Sequence, residues 1–288
     1  MGFALTTHLN IGHRHLLPIY PALCILAGGA AYWFQPLLER GAAKDAQSGR
    51  ERRKQRSKAR SSANASPALV AAGVATAVLL AWHAGESLTI RPNYLAYFNE
   101  LVGGPAQGYK HLADSSLDWG QDLPALKQWL DREGLQPSGA TNVYLSYFGT
   151  ARPEYYGIQA TMLPGFIDRR PPQPPAPLGA GVYCISATVL DVIGTMFYKP
   201  EYESNYQAGL QNLTVFERAS ESDRAALVQQ MGAEYWQQLF VQVDQMRMGR
   251  LAAALRQRQP DAMIGYSILI YRLSDAEVRQ AVCDAAER

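Results

Sequence analysis

"GRERRKQRSKAR", Gly49 to Arg60, sets seven basic residues against one acidic. Its neighbours decide how it reads. Before it, "LLPIYPALCILAGGAAYWFQPLL" (Leu16–Leu38) runs 23 residues without a charge. After it, "PALVAAGVATAVLLAWHA" (Pro67–Ala84) runs 18 uncharged residues. Crossing the hydrocarbon layer takes roughly 17–25 apolar residues. Both segments are therefore expected to be transmembrane helices. Tyr32, Trp33 and Trp82 stand near their ends, where amphipathic rings favour the headgroup zone.

A short loop rich in Lys and Arg between two spans stays in the cytoplasm. The predicted organisation follows: an extracytoplasmic lead-in over 1–15, a span over 16–38, a basic cytoplasmic loop over 39–66 and a span over 67–84. An extracytoplasmic α/β domain over 85–288 completes it. The protein is expected in the cytoplasmic (inner) membrane, multi-pass, with the lipid bilayer as a partner. Anionic headgroups suit the basic loop. Three competitors are weighed: a signal peptide, a buried helical hairpin and a nucleic-acid tail. "MGFALTTHLNIGHRH" lacks a compact basic start, and no small-residue cleavage site follows. No aromatic or groove-reading element accompanies the basic run, so no nucleic-acid partner is expected.

Charge supports a divided chain. Residues 39–66 hold nine basic and three acidic residues. Arg14 is the only charge before them, and the remainder of the chain is net acidic. The formal net charge of +2 is thus a cancellation of opposed regions. Cys24, Cys184 and Cys283 have no metal-ligand spacing. Buried thiols and a Cys184–Cys283 disulfide in an oxidising compartment both remain open.

Past Glu86 the pattern is that of an α/β domain. "YKHLADSS" reads as a first strand or strand end, and "QDLPALKQWLDREG" as a helix with Leu123, Leu126, Trp129 and Leu130 at helical spacing. "NVYLSYFG" and "GVYCISA" read as strands, "ARPEYYGI" as a short helical turn, and "TVLDVIGTMFY" as helical. "RRPPQPPAPLGAG" is a proline-rich exposed loop. A long helix is expected over about 222–259, and "MIGYSILIYRL" as the last strand. Ser274 and Glu277 have capping-box spacing. Alternating strands and helices predict a mainly parallel sheet, with ligands beyond the carboxyl ends of its strands.

Two constellations carry candidate chemistry. In "DSSLDWGQD", Asp114, Asp118 and Asp122 are four apart with Trp119 between. Carboxylates beside an indole face suit a sugar or a cation; helix capping and loop amides are the plain alternative. In "NIGHRHLLPIY", Arg14 with His13 and His15 suits a phosphate, or an anchor for a helix end among headgroups. No G-x-S-x-G, P-loop, zinc or H-E-x-x-H pattern occurs, and Asn64-Ala65-Ser66 and Asn212-Leu213-Thr214 match the glycosylation acceptor.

The stretches "NIGHRHLLPIYP", "IRPNYLAYFNELVGGPAQGYKHLADSSLDWGQDL", "VYLSYFGTARPEYYGI" and "IGYSILIYRL" carry a resemblance. In order, and over most of the chain after Leu9, it resembles the C-terminal part of bacterial glycosyltransferase family 39-like membrane proteins. These are phospholipid-carrier-dependent sugar transferases of the GT-C type. The resemblance implies transfer of a sugar from a polyprenyl-phosphate carrier to an envelope acceptor. It implies an acidic base, and a divalent cation in a complete family enzyme. The family's acidic catalytic loop has no counterpart here, since no acidic residue precedes Glu39.

The chain is therefore expected to be a C-terminal fragment or split piece, inert alone, with no catalytic residue and no cofactor of its own. A partner subunit would supply the remaining membrane-spanning portion. The alternative is an anchored glycan- or protein-binding module without catalysis. Carried over as substrate-binding are Arg14, His13 and His15 beside the carrier phosphate, and Asp114, Asp118, Trp119 and Asp122 in the segment opening the outer domain.

Overall fold

The computed structural model describes residues 20–26, 28–29, 67–113, 116–136, 141–168 and 170–283. The chain divides into two compact units, Met1–Pro92 and Asn93–Arg288.

In the first unit, residues 20–26 and 28–29 are helical, and helix α1 spans Pro67–Thr89. Among the described residues no helix is long and apolar enough to cross a membrane. This overturns the two transmembrane helices in the expected fold, and with them the multi-pass inner-membrane placement and the extracytoplasmic assignment of the domain that follows. The physical reason lies in α1. Its apolar run stops at Trp82, and His83, Gly85, Glu86, Ser87 and Thr89 fill the last turns. Pro67–Trp82 rises about 24 Å at 1.5 Å per residue, short of the roughly 30 Å of hydrocarbon. Alanine and glycine supply seven of those 16 residues and little transfer energy. Most of the first predicted span, 16–38, and the whole basic loop, 39–66, lie outside the described residues.

The second unit is built on a five-stranded sheet: β1 (Asn142–Ser146), β2 (Thr161–Met162), β3 (Gly181–Ser186), β4 (Ala262–Ile264) and β5 (Ile268–Leu273), in the order β2-β1-β3-β5-β4. β1 pairs in parallel with β2 and β3. β5 runs antiparallel to β3 and to β4. The sheet is therefore mixed, not mainly parallel. The cause is a hairpin inside the run read as one last strand. Gly265 and Tyr266 take φ of 58° and 64°, and the Ser267 N–H donates to the Ile264 carbonyl at 3.1 Å. Two consecutive positive φ values with that bond are a type I′ turn, whose twist suits a tight hairpin.

The helices are α2 (Pro105–Gly108), α3 (Leu123–Arg132), α4 (Gly194–Phe197), α5 (Glu203–Arg218), α6 (Glu221–Met231), α7 (Ala233–Arg256) and α8 (Asp275–Cys283). "YKHLADSS" follows α2 as turns where it is described, not as a strand. The expected long helix is two, α6 and α7, broken at Gly232. The capping box forms: Ser274 N–H donates to Glu277 Oε2 at 2.8 Å, and Glu277 N–H to Ser274 Oγ at 3.3 Å.

Both faces of the sheet are buried, so side chains alternate between two cores. Val143, Leu145, Val182, Cys184, Ile268 and Ile270 pack with Leu123, Leu126 and Leu130 of α3. Tyr144, Tyr183, Ile185, Leu269 and Tyr271 pack with α5, α7 and α8. All three described cysteines are free, with Cys184 buried and Cys24 and Cys283 exposed. Burial pushes the Cys184 thiol up to about 12, which makes it inert.

Candidate functional site

The parallel pair β1 and β2 ends at one edge, and a cleft opens there. Ser146, the last residue of β1, donates its hydroxyl to the Pro164 carbonyl at 2.5 Å, and the Leu163 N–H donates to the Leu145 carbonyl at 2.8 Å. These bonds lash the loop after β2 to the end of β1. The cleft beyond them holds about 760 Å³, within the range of small-ligand sites. One wall is the segment Tyr147–Tyr155, and the other is Ile167, Asp168, Arg170 and Pro171.

The first wall turns on a 3₁₀ segment, Pro153–Tyr156, whose proline stands where a missing N–H costs nothing. It presents Arg152, Glu154 and Tyr155, and Tyr155 is 83% exposed. The Tyr155 ring meets Tyr156 edge-on at 5.3 Å. The second wall is fixed by Arg170. Its Nε donates to Asp168 Oδ1 at 2.8 Å and its Nη2 to Asp168 Oδ2. Its Nη1 donates to the Met162 carbonyl at 3.0 Å and pairs with Asp244 Oδ2 of α7 at 2.7 Å. Asp244 Oδ1 accepts from Arg247 Nη2 at 2.6 Å. Burial opposes the charge of Asp168, but the Arg170 bonds outweigh it and hold its carboxyl below the usual range.

The residues singled out by sequence fare unevenly. Arg14, His13, His15 and Asp114 lie outside the described residues. Asp118 and Asp122 are buried and Trp119 is 58% exposed. Asp118 Oδ1 accepts from the Gly120 N–H at 2.9 Å, a local turn bond. Asp122 occupies the N-cap position of α3 but makes no side-chain cap bond. Its Oδ2 accepts instead from the Ser267 hydroxyl at 2.6 Å and from Gln121 Nε2 at 3.0 Å. Burial raises the Asp122 pKa despite both bonds. Asp122 ties the loop to the β4–β5 turn and Asp118 closes a turn within the loop; neither lines the cleft at the end of β1 and β2. The loop meets the cleft's edge through backbone: a side chain on Gly120 would strike the Phe148 carbonyl at 2.8 Å and Gly149 Cα at 3.1 Å.

A divalent cation, implied by the resemblance, does not fit these residues. Among the described residues no group of three or more His, Cys, Asp or Glu side chains is placed to hold one. Asp168 and Asp244 are each bonded to guanidinium groups, whose positive charge opposes a cation beside them.

Arg152, Tyr155, Asp168, Arg170 and Asp244 were not reached by motif reading. A signal existed for three of them. Arg152 and Tyr155 stand in the quoted stretch "VYLSYFGTARPEYYGI". A second signal is on α7, where Asp244 and Arg247 interrupt an apolar face that includes Val243, Met248 and Leu251. No protein-family model, no curated protein and no solved structure matches this chain.

Proposed function

We propose that the Asn93–Arg288 unit recognises a glycan within a system that transfers sugar from a polyprenyl-phosphate carrier, and that it binds the sugar chain without reacting with it. The observation that carries this reading is the Tyr155 ring, exposed in a cleft whose charged groups are Arg152, Glu154, Asp168 and Arg170. A sugar ring has a C–H face that packs on an aromatic ring and a rim of hydroxyls that both donate and accept. Carboxylates accept hydrogen bonds from the hydroxyls and guanidinium groups donate hydrogen bonds to them. The sequence resemblance lends support, because Tyr147 to Tyr155 of the cleft wall lie within one of the stretches that carry it.

The test uses the full chain on a printed array of oligosaccharides, followed by titration calorimetry on the best binder. Tyr155→Ala is expected to weaken binding at least tenfold, about 1.4 kcal/mol, and Tyr155→Trp to retain it. Absence of any bound glycan overturns the reading. So does a Tyr155→Ala protein that binds as tightly as the parent.

A further inference from the structure

A second cleft of about 500 Å³ lies on the other side of Arg170. Its walls are the proline-rich segment Pro171–Ala176 and, from α7, Phe240, Val241, Asp244 and Gln245. Met162, Asp168, Arg170 and Pro171 line both clefts. The two spaces therefore share one wall, and Arg170 with Asp168 is its polar part.

That wall is held from three sides. Arg170 is bonded to Asp168 beside it, to the end of β2 through the Met162 carbonyl, and to α7 through Asp244. The carboxylates it fixes retain acceptor capacity. An ionised carboxylate offers about four lone-pair positions. Asp168 receives three donors, all from Arg170, and Asp244 receives one each from Arg170 and Arg247. Oriented carboxylates with free lone pairs stand on both sides of the bridge, and the proline-rich segment keeps the second side open. Proline fixes its own φ, so four prolines within Pro171–Ala176 leave that wall little freedom to collapse inward.

We infer that the two clefts are halves of a single groove, and that its ligand is a linear oligosaccharide crossing over the Arg170 bridge, not a single sugar. This rests on the glycan reading above and extends it to the size and shape of the ligand. Asp168 accepts a hydroxyl at the crossing, Asp244 accepts one beyond it, and Tyr155 stacks the unit at the near end.

The experiment measures affinity of the full chain for linear hexose oligomers of one to six units, in gluco, manno and N-acetylglucosamine series. Val241→Trp blocks the far cleft without touching the Arg170 bonds, since Val241 is 38% exposed on its wall. Affinity is expected to rise with length until both clefts are filled. Val241→Trp is expected to remove at least tenfold of the long oligomer's affinity and to leave the one- and two-unit sugars unchanged. Equal affinity across lengths, or a Val241→Trp protein that binds long oligomers as the parent does, overturns the single groove while the glycan reading stands. No binding of any series overturns both.

Discussion

Gly265 shows how one residue fixes the neighbourhood of Asp122. A Cβ added there would fall 2.1–2.3 Å from the Asp122 carboxylate, at a φ of +58°. Two separate costs apply: a backbone conformation that an L side chain resists, and a collision with a buried acid held by Ser267. Gly134 separates them, because it has φ of +67° with nothing within 4 Å of its added Cβ. Gly134→Ala is expected to lose about 1 kcal/mol of stability, the backbone cost alone. Gly265→Ala is expected to lose about 2 kcal/mol more, since the acid must leave its Ser267 bond. Urea unfolding of the two variants measures the difference, and equal losses would remove Asp122 from the account.

Between elements, the decisive contact joins α5 to α7. Arg250 of α7 has no exposed side-chain surface, and its Nη1 donates to both Glu203 oxygens at 2.6 Å. The guanidinium lies 4.8 Å from the centre of the Tyr206 ring and 5.6 Å from that of Tyr198. Removing one partner strands a buried charge, which costs about 3–5 kcal/mol. Glu203→Ala is expected to lose stability on that scale. The joint Glu203→Leu, Arg250→Met change is expected to lose clearly less, and a larger loss than for Glu203→Ala would show the pair to be worth more than its burial. The sign with pH follows from Glu203. Burial pushes its carboxyl up, but Tyr198, Gln207 and Arg250 outweigh that and lower it below 4.5. The pair's contribution is present above the ordinary carboxylate value and is lost as pH falls through the lowered one. Glu203→Ala should therefore flatten the acid limb of the stability curve.

For the molecule as a whole, the division at Pro92 has a consequence. The sheet of the second unit carries one core on each face, and neither core can open without exposing the strands of the other. The piece Asn93–Arg288 is expected to fold alone and to unfold in one cooperative step. Coincident urea transitions by far-ultraviolet dichroism and by tryptophan fluorescence would confirm it. Two separated transitions would mean that the two faces are independent.

Local signals were legible where local physics decides. Alternation placed β1, a short apolar run placed β3 as a buried strand, the leucine spacing placed α3, and Ser274 with Glu277 placed the start of α8. Each depends on residues within one or two turns of one another. The hairpin hidden in "IGYSI" was not legible, because a tyrosine in the left-handed region is held there by its packing with Ala96, Leu117 and Ala187. Strand direction went unread for the same reason, and so the sheet was expected to be parallel. The candidate groove belongs wholly to tertiary structure. Arg170 meets Asp244 across 74 residues of chain, and Tyr155 reaches the cleft beside Arg170 from the 3₁₀ segment between β1 and β2. The sequence by itself determined which segments turn and which extend; only the folded chain decided which charges neutralise one another and where a cleft is left between them. Pairing energies fall off over a few ångströms, and the separations they depend on do not exist until distant segments are packed together.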